Sequence, residues 1–418
     1  MKMVVRLAMR SILRNRFRSV LAISGIAVAT MMLIFNVSFM ESFYDLMIRG
    51  STDVETGHVQ IQDRDYIDRP ATIDYMEWDQ ELREEIEAIP EVRAATPRVR
   101  LFGLVGHEDR SFVGRIFGID PVTEPNVTVM SDGIVEGRWL SETNREPPAE
   151  VVIGRGLSRT LGVGLGGELV VIAEGADGSM GDALLEVVGI LETGNSVVDR
   201  QAVLLHIDEA QYVAAMEGVV HEVIISVHDP AGSMAAAGAV QGVLDARGLE
   251  DLQARSWMEV QPGLYELLVL GNTSNYIIYL VIFFIVALGV LNALRMSARE
   301  RYREFGVMMA VGMSRAKLFF MIVCEGLVLG IAGAGVGALI GGAGIYYFSE
   351  YGLDLGMLME GEGTYMGVSF SDRIFFVTSP ELVLEPSVGL VVVTVLCAIW
   401  PAVAAIRLLP RDAITGRQ

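Results

Sequence analysis

Four long apolar runs, at 20–40, 276–295, 318–348 and 388–409, set the plan of the chain. Each is near or above the roughly 20 residues that a helix needs to cross hydrocarbon. The polar stretch at 41–275 is the only gap long enough for a sizeable water-soluble domain. There the pattern changes to short β-rich runs, and strands are expected at 58–62, 98–105, 112–119, 150–153, 168–173, 184–191, 202–205 and 222–227. Helices are expected at 78–88, 155–161, 208–216 with Asp208 as N-cap, and 233–246. One more, at 261–270, returns the chain to the membrane. The expected fold class is membrane α-helical, with four transmembrane helices and a large α+β extracytoplasmic domain between helices 1 and 2.

Lys and Arg near span ends stay on the cytoplasmic side, so the cations orient these helices. The start of the chain holds Lys2, Arg6, Arg10, Arg14, Arg16 and Arg18 before any acid. The connection between the second and third spans holds Arg295, Arg299, Arg301, Arg303, Arg315 and Lys317 against Glu300 and Glu304, and the tail adds Arg407, Arg411 and Arg417. Both termini and this connection are expected inside a bacterial inner membrane. The net charge of −20 is then a basic inside added to a strongly acidic outside. The expected segments are an amphipathic cytoplasmic helix at 1–19, a span at 20–40, the extracytoplasmic domain with stalk helices at 41–275 and a span at 276–295. A cytoplasmic loop at 296–317, a span at 318–348, a second outer loop at 349–387, a span at 388–409 and a tail at 410–418 complete the chain.

The first helix is inferred from basic residues at every fourth position beside Val5, Ala8, Met9, Ile12 and Leu13, a pattern suited to the membrane interface. A cleaved signal peptide competes for the first span, but the run is long for such a segment and no small-x-small site follows Phe39. Cys324 and Cys397 fall inside spans, so there is no disulfide framework.

Catalytic motifs are mostly absent. Gly162, Gly164 and Gly167 match G-x-G-x-x-G, but between a helix and a strand, the reverse of the dinucleotide context, so a turn is expected. His221-Glu222 lacks the second histidine of a zinc-protease helix, because Ile225 stands in its place. Asp63, Asp65 and Asp68 lack the glycine and final glutamate of a calcium loop. No G-x-S-x-G elbow occurs. Neither lysine, Lys2 or Lys317, sits in a Walker A loop, so this chain cannot cradle ATP there. No metal, cofactor or nucleic acid is expected on it.

The cytoplasmic loop carries alternating charges and then Phe305, Met308, Met309 and Gly312 at helical spacing, a face that suits either a partner protein or the lipid interface. The third span holds Gly326, Gly330, Gly333, Gly337 and Gly341, a small-residue ladder for close packing on another span or another subunit. Glu325 lies inside that span, where an acid is costly and is either a packing or a mechanistic group. Pro401 is expected to bend the last helix.

Glu300, Arg301, Arg303, Glu304, Phe305 and Gly306, followed by Ala310 and Gly312, resemble the E-R-x-R-E-[IF]-G and Ala-x-Gly pattern of the FtsX-like permease family. Glu325, the glycine-rich span and a closing motif of Trp400, Pro401, Ala402, Ala405 and Pro410 extend the resemblance. Residues 133–140 and 152–172 are similar to the external domain of MacB-type and lipoprotein-releasing (LolC/LolE-type) permeases. The resemblance implies a non-catalytic permease subunit of a mechanotransmission ABC transporter. Two copies of a separate ATPase, holding ATP and Mg, would dock at 300–313, and a second permease subunit, the same or related, would complete the assembly. The cargo implied is a lipoprotein or lipid-like molecule. The alternatives are MacB-like efflux with a periplasmic adaptor and FtsX-like regulation of a cell-wall hydrolase.

Overall fold

The computed structural model describes residues 10, 14, 16–64, 66, 73–143, 147–354, 364–365, 368–369 and 373–407. Most of the helix expected at 1–19, Asp65, Asp68, Pro410, the tail and much of the second outer loop lie outside the described residues. Two compact units form, one from the long apolar helices and one built mainly from Asp45–Leu268.

Helix α1 (Arg16–Ser51) is followed by a π-helical turn, Thr52–Thr56. The strands are β1 (Val59–Asp63), β2 (Met76–Glu77), β3 (Val92–His107), β4 (Arg110–Ile119), β5 (Ile134–Gly137), β6 (Ala149–Gly154), β7 (Glu168–Glu174), β8 (Met180–Leu191), β9 (Ala202–His206), β10 (Val219–Val220), β11 (Glu222–Val227) and β12 (Leu252–Ser256). Between them lie α2 (Gln80–Glu87), α3 (Glu124–Val127), α4 (Arg155–Leu161), α5 (Ser196–Gln201), α6 (Ile207–Val213), α7 (Ser233–Ala246) and α8 (Trp257–Val260).

Ten strands make one sheet in the order β12-β1-β11-β3-β4-β9-β6-β8-β5, with β7 joined to β3 and β8. The pairs β4–β9 and β6–β8 are parallel and the others antiparallel. Strand β3 is the hub, pairing with β11 through its first half and with β4 and β7 through its second. Alternation decides which side is buried: in β7, Leu169, Val171 and Ala173 face the core while Val170 and Ile172 face out. Strand β11 is buried along its whole length, as its nearly continuous apolar run requires. Helix α7 buries Ala236, Ala237, Val240 and Leu244 in the same core.

Two expectations are corrected. The N-cap of α6 is His206, whose ring accepts the Asp208 N–H at 3.3 Å, so Asp208 is itself inside the helix. The helix expected at 261–270 is the first part of α9 (Pro262–Glu300), which runs unbroken because Gly271 alone is too weak a breaker to end it. The glycine motif is a turn as expected: Gly162 ends α4 at φ 74°, and β7 starts after Gly166 and Gly167.

In the other unit, α9 is followed by α10 (Tyr302–Ala310), α11 (Arg315–Tyr351) and α12 (Pro380–Ile406). Among the described residues, four helices are long and apolar enough to cross a membrane.

Candidate coupling site

The connection between the second and third long helices folds as α10, with Arg301 at its N-cap position. Beyond its end, Gly312 takes φ 100°, which favours glycine. The chain then enters α11, whose N-cap Ser314 accepts the Lys317 N–H at 3.4 Å.

Arg301 is the centre of the site. It donates to Glu325 at 2.8 Å and to Glu304 at 3.3 Å, and its guanidinium carbon lies 5.2 Å from the Phe305 ring centre. Arg301 and Glu325 are only 6% and 7% exposed, so each neutralises a charge that would be costly to bury alone. The acid inside the third long helix thus has its counter-ion on the connecting helix. Arg14 adds a 2.5 Å bond to Glu304 from the exposed side.

Phe305 is 1% exposed and packs on Leu318, Met321, Ile322, Ala402 and Ala405, with Met308 and Met309 half-buried beside it. Of the apolar stripe, its own bundle covers Phe305 fully and Met308 and Met309 in part. Gly306 is also buried, whereas Glu300, Arg303 and Gly312 are exposed. The open side of α10 is formed by Arg303, Val307, Ala310 and Val311, with Val307 52% and Val311 84% exposed.

The glycine ladder divides between two helices. A Cβ on Gly326 would stand 2.6 Å from the Ala398 Cβ, and one on Gly330 3.2 Å from Thr394, so these two meet α12. Gly333, Gly337 and Gly341 meet α1 at Ile26, Ala27 and Ile34. Pro401 is buried inside α12.

A second charged cluster, absent from the expectations, lies in the sheet unit. Glu55, in the π-helical turn after α1, is bound by Arg115 and, at 3.2 Å, by Arg100. Arg98 donates to the Glu55 carbonyl at 2.7 Å and pairs with Glu124, both side chains fully buried. Arg100 also reaches Glu222 at 3.3 Å, and all three arginines surround the Phe117 ring. The available signal was two arginines, Arg98 and Arg100, two residues apart on one face of β3.

Four membrane-length helices among the described residues, a mixed-sheet domain carried after the first, and a short helix pinned between the second and third are the architecture of a multi-pass membrane protein. Residues 19–243 match the MacB-like periplasmic core domain and residues 276–410 the FtsX-like permease C-terminal domain. The chain belongs to this family, as a permease subunit of an ABC transporter. It is 25% identical over 337 residues to the lipoprotein-releasing system transmembrane protein LolC of Neisseria meningitidis, covering 78% of each chain. An uncharacterised ABC transporter permease of Methanocaldococcus jannaschii is 21% identical over 81% of this chain and 82% of its own. The macrolide export protein MacB of Campylobacter jejuni is 22% identical over 44% of this chain and 29% of its own. Among solved structures, the periplasmic region of MacB from Actinobacillus actinomycetemcomitans aligns with a TM-score of 0.37 and 13% identity, over 52% of this chain and 95% of that one.

Proposed function

We propose that this chain is the non-catalytic permease subunit of a mechanotransmission-type transporter. Two copies of a separate ATPase hold ATP and Mg, a second permease subunit of the same or related sequence completes the assembly, and the cargo is a lipoprotein or lipid-like molecule on the outer side. The carrying observation is the two-sidedness of α10: one side is fastened to α11 and α12 by Phe305 and the Arg301–Glu325 pair, and the other presents Val307 and Val311 to solvent. A helix mounted this way passes a push on its open side into the long helices instead of deforming. Within the sheet unit, the Glu55 cluster fastens the turn after α1 to β3 and β4.

The cargo class is supported by a trough of about 710 Å³ between α1, α9 and α12. Leu33, Val37, Met40, Phe283 and Leu382 line it together with Glu41, Tyr44, Asn275 and Glu385, an arrangement suited to an acyl chain with a polar head. The name of the Neisseria relative points the same way.

Affinity capture in mild detergent followed by mass spectrometry should recover an ABC ATPase. Val311→Asp, at an exposed position, is expected to weaken that capture and cargo-stimulated ATP hydrolysis in reconstituted complexes by about tenfold or more, the effect of losing roughly 1.4 kcal/mol at an interface. Unchanged capture and stimulation would show that α10 is not the docking element.

A further inference from the structure

We propose that one face of the mixed sheet is a docking surface for a basic amphipathic helix of a partner protein. Strands β4, β3, β7 and β8 are neighbours, and their registers set Leu104 opposite both Val113 and Ile172, and Val170 opposite Leu184. With Phe102, these form a continuous apolar band on one face, every member between 36% and 62% exposed. The opposite face of the same strands already supplies the core through Leu101, Val105, Val171 and Leu185. An antiparallel sheet facing water normally alternates to polar residues on its outer side, so an outer apolar band of this extent marks an interaction site.

Charge selects the occupant. Glu168, Glu174 and Asp182 stand on the same face by the strand alternation, and none pairs with a cation among the described residues. The arginines of that face, Arg100 and Arg115, are engaged by Glu55 and Glu222. A second copy or an anionic lipid surface would bring like charge against these acids, whereas a partner with an apolar centre and basic flanks is complementary. Four strands span about 15 Å, and the face of a sheet receives a helix where its edge would receive a strand.

The test uses the full chain in nanodiscs and two labelled amphipathic peptides of about five turns, one of Leu and Lys and one of Leu and Glu. The wild type should bind the Leu/Lys peptide and not the Leu/Glu one. Leu104→Asp should weaken Leu/Lys binding about tenfold or more, although it adds negative charge, and Leu104→Gln should do so to a lesser extent. Replacing Glu168, Glu174 and Asp182 together by Lys should transfer the preference to the Leu/Glu peptide. Equal binding of both peptides, binding of neither, or undiminished Leu/Lys binding by Leu104→Asp would overturn the proposal. So would a Leu104→Asp effect that appears only as altered oligomeric mass or altered binding to anionic vesicles.

Discussion

Arg301 and Glu325, and Arg98 and Glu124, show one solution to the same problem: each buried charge meets its opposite. Such pairs contribute little over apolar substitutes, yet removing one member costs about 3–5 kcal/mol because the other is left buried alone. They were poorly legible in the sequence because the partners are remote, 24 residues apart for Arg301 and Glu325 and 26 for Arg98 and Glu124. Glu325 stood out as an acid in an apolar run; nothing local named Arg301 as its counter-ion. Glu150 offers a pH test of a similar pairing at the domain surface. Hydrogen bonds from Arg138 at 2.6 and 3.0 Å and from the Ser141 N–H at 2.9 Å hold its carboxyl at about 2, against burial that would raise it. Because the folded value lies below the unfolded one, this contribution is present above pH 4.5, declines as pH falls and is gone below about 2. Glu150→Gln should therefore lower stability at neutral pH by about 1.5–3 kcal/mol, the usual range for hydrogen bonds to a charged group. It should also flatten the loss of stability between pH 4.5 and about 2, followed by urea unfolding of the detergent-solubilised chain. An acid limb as steep as that of the wild type would contradict the assignment.

At the scale of elements, the sequence was most readable where periodicity and end signals agreed. Helices α4 and α7 and strand β11 lie at the expected residues because their apolar spacing is regular and their neighbours are turn formers. Strand β12 was missed because its inward residues, Leu252, Ala254 and Ser256, alternate with Gln253 and Arg255 and include only one large apolar side chain. The glycine ladder was visible as spacing, but spacing alone could not divide it between α1 and α12. Gly337 is the sharpest point of contact, since an added Cβ would lie 2.5 Å from the Ala27 carbonyl oxygen, in backbone that cannot step aside. Gly337→Val should destabilise the helical unit by about 1–3 kcal/mol, the range for overpacking a tight interface. Gly335, two residues earlier, has nothing within 4 Å of such a Cβ, so Gly335→Val should leave thermal unfolding in the same detergent unchanged. Equal effects at the two sites would show that α1 and α11 do not approach as described.

At the scale of the whole molecule, hydropathy alone exposed the four long helices, because each membrane-crossing helix must be apolar over its full length regardless of its neighbours. Orientation is a separate matter, decided by where the cations cannot go. The loop containing α10 holds six cations from Arg295 to Lys317 against two acids, while the sheet unit carries most of the acids that give the chain its net charge of −20. Retention of positive charge therefore favours α10 on the cytoplasmic side and the sheet outside. With Cys324 and Cys397 replaced by Ser, single cysteines can report this at two exposed positions, Ala316 beside α10 and Ala231 on the sheet unit. In intact spheroplasts a membrane-impermeant maleimide should label Ala231→Cys and spare Ala316→Cys, and inverted vesicles should reverse the pattern. The outcome bears directly on energy coupling, because an ATPase fed by cytoplasmic ATP can push on Val311 only from the side where Ala316 lies. Labelling of Ala316→Cys from outside intact cells would remove α10 from reach of that ATPase and end the proposed route of force through Arg301 and Glu325.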